Sequence, residues 1–170
     1  MKVMSVTLIL VSIILAWSAS AEGRSADQHG AYPYCNVYAD IACFGIANGD
    51  QVTMSLPADF LVYDFKLNGG VVGTIYVGNH ANISDAPFRK EVEECVDSER
   101  RCNFVSHENS GIWAIYVNES GTQLELRIRG LEDSQGARAR DFISGFRACT
   151  TQSGGITCKP ESMFVERGNP

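Results

Sequence analysis

Residues 112–129 read IWAIYVNESGTQLELRIR. Ile112 to Val117 is apolar on both faces, apart from the polar edges of Trp113 and Tyr116, and predicts a strand. Asn118-Glu119-Ser120-Gly121 supplies turn residues that tolerate the backbone conformations a reversal needs. Residues 123–129 then alternate strictly. Leu124, Leu126 and Ile128 fall on one face, and Gln123, Glu125, Arg127 and Arg129 on the other. A period of two with one apolar face is the pattern of a strand that buries one side and wets the other. The stretch therefore predicts an antiparallel hairpin with a single core face.

A second set of strands lies upstream. Val52, Met54 and Leu56 alternate with Gln51, Thr53 and Ser55, a half-buried strand that ends at Pro57. Residues 59–67 place Leu61, Tyr63, Phe65 and Leu67 on one face, with Phe60, Val62, Asp64 and Lys66 on the other. Asn68-Gly69-Gly70 is a strong reversal signal, because these residues accept positive φ. Residues 71–77 return as a strand, in which Gly73 marks a bulge or a close backbone approach.

Two helices are expected. Asp85-Ala86-Pro87 reads as a helix start with Asp85 as N-cap, and Phe88, Val92 and Cys95 recur on one helical face. A second helix is expected over residues 137–146, with Phe142, Ile143 and Phe146 inward and Gly145 weakening its last turn. Hairpins with few helices, and no strict βαβ alternation, predict an α+β fold. The expected form is an antiparallel sheet with one or two helices packed on one face, stabilised by disulfides.

The six cysteines form three close couples, Cys35 and Cys43, Cys95 and Cys102, Cys149 and Cys158. An even count behind an export leader reads as a disulfide framework in an oxidising compartment. Local closure makes nearest-neighbour pairing the expected connectivity, although six cysteines allow others. Each short loop is worth about 2.5 kcal/mol in the chain-entropy picture. A structural zinc site would want thiolates at C-x₂₋₄-C spacing; no such spacing and no matching histidine occurs. No metal and no cofactor is expected.

The leader is residues 1–21: Met1 and Lys2, an apolar run from Val6 to Trp17, then Ser18-Ala19-Ser20-Ala21. That is the order of a cleavable signal peptide, with cleavage after Ala21. It points to the bacterial periplasm, a eukaryotic secreted protein being the other compartment it fits. Residues 22–32 read as a mobile mature start, residues 33–165 as a single globular domain, and residues 166–170 as a loose tail. No second long apolar run appears, so no membrane association is expected after cleavage. One of the 14 basic side chains, Lys2, lies in the leader; the remaining 13 stand against 20 acidic ones, a formal charge of −7. That balance argues against nucleic acid and favours a basic protein partner.

Catalytic patterns are sparse. His29 lies in the mobile start, while His80 and His107 sit in polar, loop-like stretches and could join Lys66 in acid–base chemistry. There is no G-x-S-x-G elbow and no phosphate-cradling loop before a helix. Glu91, Glu93, Glu94, Asp97 and Glu99 read as a solvated helix face rather than a carboxylate pair. The sequons Asn82-Ile83-Ser84 and Asn118-Glu119-Ser120 matter only in a eukaryotic secretory pathway. The candidate binding loop is residues 78–85, carrying Asn79, His80, Asn82 and Asp85, with Ser84 among them. Tyr63, Phe65, Trp113 and Tyr116 could line an apolar pocket between sheet and final helix, or could be core.

These features lead to the expectation of an exported, non-enzymatic binding protein, an inhibitor or immunity protein directed at a toxin or cell-wall hydrolase. A binder of a small envelope ligand is the alternative, and a small hydrolase the next. The exported chain should begin at Glu22 by intact mass, and should take no maleimide label until it is reduced.

Overall fold

The computed structural model describes residues 35–108 and 110–164. The expected leader, the residues 22–32 expected to be mobile, His29 and the expected 166–170 tail lie outside them. The described chain forms β1 (Val37–Ala39), β2 (Ala42–Phe44), β3 (Gln51–Ser55), β4 (Leu61–Lys66), β5 (Val72–Gly78), α1 (Arg89–Asp97), β6 (Cys102–Glu108), β7 (Gly111–Val117), β8 (Gln123–Arg129), α2 (Gly136–Ser144), β9 (Arg147–Gln152) and β10 (Gly155–Ser162). A 3₁₀ turn, Asp133–Gln135, leads into α2.

Two antiparallel sheets result. One has six strands in the order β3-β4-β5-β8-β7-β6, and the other has four in the order β1-β2-β9-β10. Both expected hairpins are present, with Tyr63 opposite Ile75 in β4–β5 and Tyr116 opposite Leu124 in β7–β8. The large sheet is two meanders joined through β5 and β8, with Ile75 opposite Leu126. The α+β reading holds, but the chain forms a second sheet, whose β9–β10 hairpin turns at Ser153-Gly154-Gly155.

One core cluster takes Tyr63, Phe65, Ile75, Ala114, Leu124, Leu126 and Ile128 from the large sheet. The small sheet adds Ala42 and Phe44, and α2 adds Ala139, Phe142 and Ile143. Its centre is aromatic. The Phe142 ring lies 4.8 Å from Phe65 and 5.2 Å from Phe146, and Phe44 stacks on Phe146 at 5.0 Å. These contacts bind both sheets and α2 together.

The opposite face of the large sheet is also covered. Trp113, Ile115 and Val117 share a second cluster with Phe88, Val92 and Cys95. The two helices therefore draw on opposite faces rather than one. The connection from β5 to the far edge strand β6 must cross the sheet, and it carries α1 over the second face. This overturns the expectation that Gln123 and Glu125 point to water. They are 7% and 5% exposed, because the crossing connection covers this part of β8; Arg127 is half-buried, and Arg129, at the strand end, is exposed as expected.

Three local expectations are corrected. Met54 and Leu56 are 58% and 63% exposed, and only Val52 of the β3 face packs on the core, since β3 is the sheet edge. Asp85 does not cap α1. Phe88 occupies that position without a side-chain bond, because Ala86, which precedes Pro87, is disfavoured in the helical region. His107 lies in strand β6, not in a loop. An edge strand with half-covered sides tolerates the polar residues that disguise it.

Gly73 marks a close approach, not a bulge. Its pairing with Phe65 and Ile128 is regular, and a Cβ there would stand 2.3 Å from the Arg127 carbonyl oxygen. Asp50 braces the turns at one end of the molecule. Its fully buried carboxylate accepts from the backbone N–H groups of Ala47 (2.7 Å) and Asn68 (2.8 Å) and lies 3.6 Å from the Arg138 guanidinium.

All three nearest-neighbour disulfides are formed, Cys35–Cys43, Cys95–Cys102 and Cys149–Cys158, and no described cysteine is free. The last joins directly opposed positions of β9 and β10.

Phe142→Ala should cost about 3–5 kcal/mol in urea unfolding. Asp50→Ala, which strands the backbone donors of Ala47 and Asn68, should cost about 2–3 kcal/mol. An Asp50→Ala variant as stable as the parent would refute the bracing role.

Candidate functional site

Asn79, His80, Asn82 and Asp85 are all exposed on the connection between β5 and α1, so the expected loop exists as one surface feature. It is tied to the sheet through backbone atoms. The Gln123 side chain donates to the Asn79 carbonyl (3.3 Å) and accepts from the Ala81 N–H (3.2 Å). The His80 N–H donates to the Tyr76 hydroxyl (3.1 Å), and Arg127 donates to the Asn82 carbonyl. Asn82 turns its own side chain to Ser84, accepting from its hydroxyl at 2.9 Å, as turn residues do.

The anchors of this loop were missed because the alternation of β8 assigned them to solvent. Arg127 stands over the Trp113 ring at 3.9 Å, directly opposite it across β7–β8, and is hydrogen-bonded to Glu125. An Arg facing a Trp in the predicted hairpin register was the available signal, since that pairing is a cation–π contact. Burial pushes the Glu125 carboxyl above its ordinary range, and hydrogen bonding and charge from Arg127, with a smaller part from Trp113 and Arg129, oppose the rise.

The histidines do not meet. His80 follows the end of β5 that pairs with Gln123, whereas His107 sits toward the opposite end of the sheet, three strands away, opposite Ile112. At ordinary strand spacing and rise they stand well over ~20 Å apart, too far to act on one reacting atom. Lys66 lies on β4, a further strand away from β6. The four aromatics proposed for a pocket are divided as well. Tyr63, Phe65 and Tyr116 belong to the first core cluster and Trp113 to the second.

A groove that the sequence did not announce lies elsewhere. It runs between edge strand β6 and edge strand β10, with a volume of about 600 Å³, and is lined by Arg100, Arg101, Asn103, Lys159 and Glu161, with Glu91 and Glu94 of α1 on its rim. A neighbouring cleft of about 610 Å³ shares Arg101, Tyr116 and Lys159. The disulfides Cys95–Cys102 and Cys149–Cys158 form part of the walls. Asn103 donates to the Met163 carbonyl at 2.8 Å, fixing β6 to the segment after β10. Arg101 pairs with Glu119 at 3.0 Å. Burial raises the Tyr116 phenol; Arg101 opposes this and Glu119 adds to it. On α1, Glu93 is paired with Arg89 at 2.7 Å. The groove was illegible because its walls come from segments nearly sixty residues apart.

Among the described residues no helix is long and apolar enough to cross a membrane. The three disulfides fit an extracellular or periplasmic setting. Comparison with protein families, curated proteins and solved structures gives no match for the chain.

The Glu125 shift has a definite consequence. Its ionised form is costlier in the fold than in the unfolded chain, so at neutral pH it subtracts from stability, and protonation removes that loss as pH falls through the raised value toward the unfolded one. Glu125→Gln, which keeps a hydrogen-bond acceptor for Arg127, should gain melting temperature relative to the parent at pH 7 and lose that advantage near pH 4. An advantage that does not change with pH would contradict the assignment.

Proposed function

We propose that the chain is an exported, non-enzymatic binding protein, an inhibitor or immunity protein that neutralises a toxin or cell-wall hydrolase. The observation that carries this reading is the groove between β6 and β10. Its wall includes the Cys95–Cys102 disulfide, and the wall of the adjoining cleft includes Cys149–Cys158, so little ordering is left to be done on association. It also exposes two sheet edges, and edge strands offer backbone donors and acceptors to an incoming chain.

Charge indicates which partner suits it. Glu91 and Glu94 stand on the groove rim, and the exposed Glu93, Asp97 and Glu99 continue the acidic surface along and just beyond α1. Arg100, Arg101 and Lys159 line the same groove, so the acidic surface of α1 steers a basic protein to this side of the molecule, while the groove itself presents both signs of charge. The loop carrying Asn79, His80, Asn82 and Asp85 supplies a second exposed surface for contact. A small envelope ligand is the other reading, favoured by a groove volume within the roughly 300–1,000 Å³ of ligand sites and by Arg101, Tyr116 and Lys159 sharing one cleft.

Immobilised mature protein should capture a basic protein from an envelope extract. Glu91→Lys with Glu94→Lys should slow that association by about tenfold at low salt and far less at high salt, as rim charges do. Capture that ignores both substitutions and salt would sink the rim as the docking surface. A small molecule retained in native mass spectrometry, with no protein captured, would favour the second reading.

A further inference from the structure

The sulfurs of Cys35, Cys43 and Cys158 lie within 4.8 Å of one another, although they belong to two different bridges. The bridge Cys95–Cys102 contributes no sulfur to this group. Three sulfurs at such range, two of them bonded to each other, are the reactants of thiol–disulfide exchange once the third is released from its own partner. Cys158 is the accessible member of the β9–β10 bridge: it is half-buried, whereas Cys149 is 6% exposed. Cys35 is also half-buried and precedes β1, so it lies outside the strand ladder, while Cys43 is fully buried in β2 between β1 and β9.

We propose that these three sulfurs form an exchange relay, in which opening the Cys149–Cys158 bridge moves the Cys35–Cys43 bridge to Cys35–Cys158. A small external thiol, as its thiolate, attacks the Cys158 sulfur, and Cys149 leaves and takes a proton. A second thiolate attacks the external sulfur of the mixed disulfide, giving the oxidised small disulfide and a Cys158 thiolate. That thiolate attacks the Cys35 sulfur, a new Cys35–Cys158 bond forms, and Cys43 leaves. Burial in apolar surroundings disfavours the Cys43 thiolate, so it takes up a proton. Two external thiols are oxidised and one protein bridge is reduced; the last step only reshuffles bonds. The relay ties the start of β1 to the outermost strand of the small sheet and leaves Cys43 and Cys149 as thiols.

Brief treatment of the full chain with limiting dithiothreitol, acid quench, maleimide labelling and peptide mapping tests this. Singly reduced molecules labelled at Cys43 and Cys149 and bridged Cys35–Cys158 are expected. Singly reduced molecules carrying only the original pairs would overturn the relay. So would new bridges that involve Cys95 or Cys102, which mark scrambling through the unfolded chain. In Cys149→Ser, the one free thiol should divide between Cys158 and Cys43, reaching Cys43 faster as pH rises and the thiolate forms; a thiol found only on Cys158 would refute the transfer step. Should Cys149→Ser not fold, the wild-type mapping stands alone as the test.

Discussion

Strand β7 is buried on both faces from Ile112 to Val117, and the rest of the molecule follows from having to cover it twice. A strand of this kind cannot sit at an edge, so β6 and β8 flank it. One face is sealed by α2 and the small sheet through the Phe44, Phe65, Phe142 and Phe146 rings. The other is sealed by the chain that leaves β5, packs Phe88 and Val92 on Trp113 and Ile115, and enters β6. The apolar surface removed from water on two sides of one sheet is the dominant favourable term available to a fold of this size. Each disulfide then joins a buried cysteine, Cys43, Cys95 or Cys149, to a more exposed partner.

Covering the second face has a cost, which is met by pairing. Gln123, Glu125 and Arg127 lie beneath the crossing chain, and burying such groups is unfavourable unless each finds a partner. Each does. Gln123 takes two backbone groups of the loop, Arg127 takes the Asn82 carbonyl and the Trp113 face, and Glu125 takes Arg127. The exposed residues of the 79–85 loop thus owe their position to side chains hidden below them. Asp50 plays the same part at the turns near Ala47 and Asn68.

What could be read from the residues and what could not divide along a physical line. Both hairpins of the large sheet, the apolar faces of β4 and β8, the two helices and the cysteine pairing were legible, because each is written in a local period, a turn sequence or a short spacing. β6 was not, because the half-covered edge lets Ser106, His107 and Glu108 stand in a strand. The small sheet was not, because β1 and β2 have three residues each, too few for a period to show. The inward turn of Glu125 was not, since alternation gives two faces without saying whether both are covered. The candidate loop was legible as a surface. The groove was not, because Arg101 and Lys159 meet only through the register of two different sheets.

The three bridges join cysteines separated by only eight, seven and nine positions. The contacts that define the topology are far more distant along the chain, as between Val72 and Arg129 or Ala42 and Ala148. Every covalent link can therefore close between near neighbours in the chain. None of these links has to wait for the long-range pairing, and none of them forbids it. Covalent closure in this chain is local, and the pairing of its sheets is not.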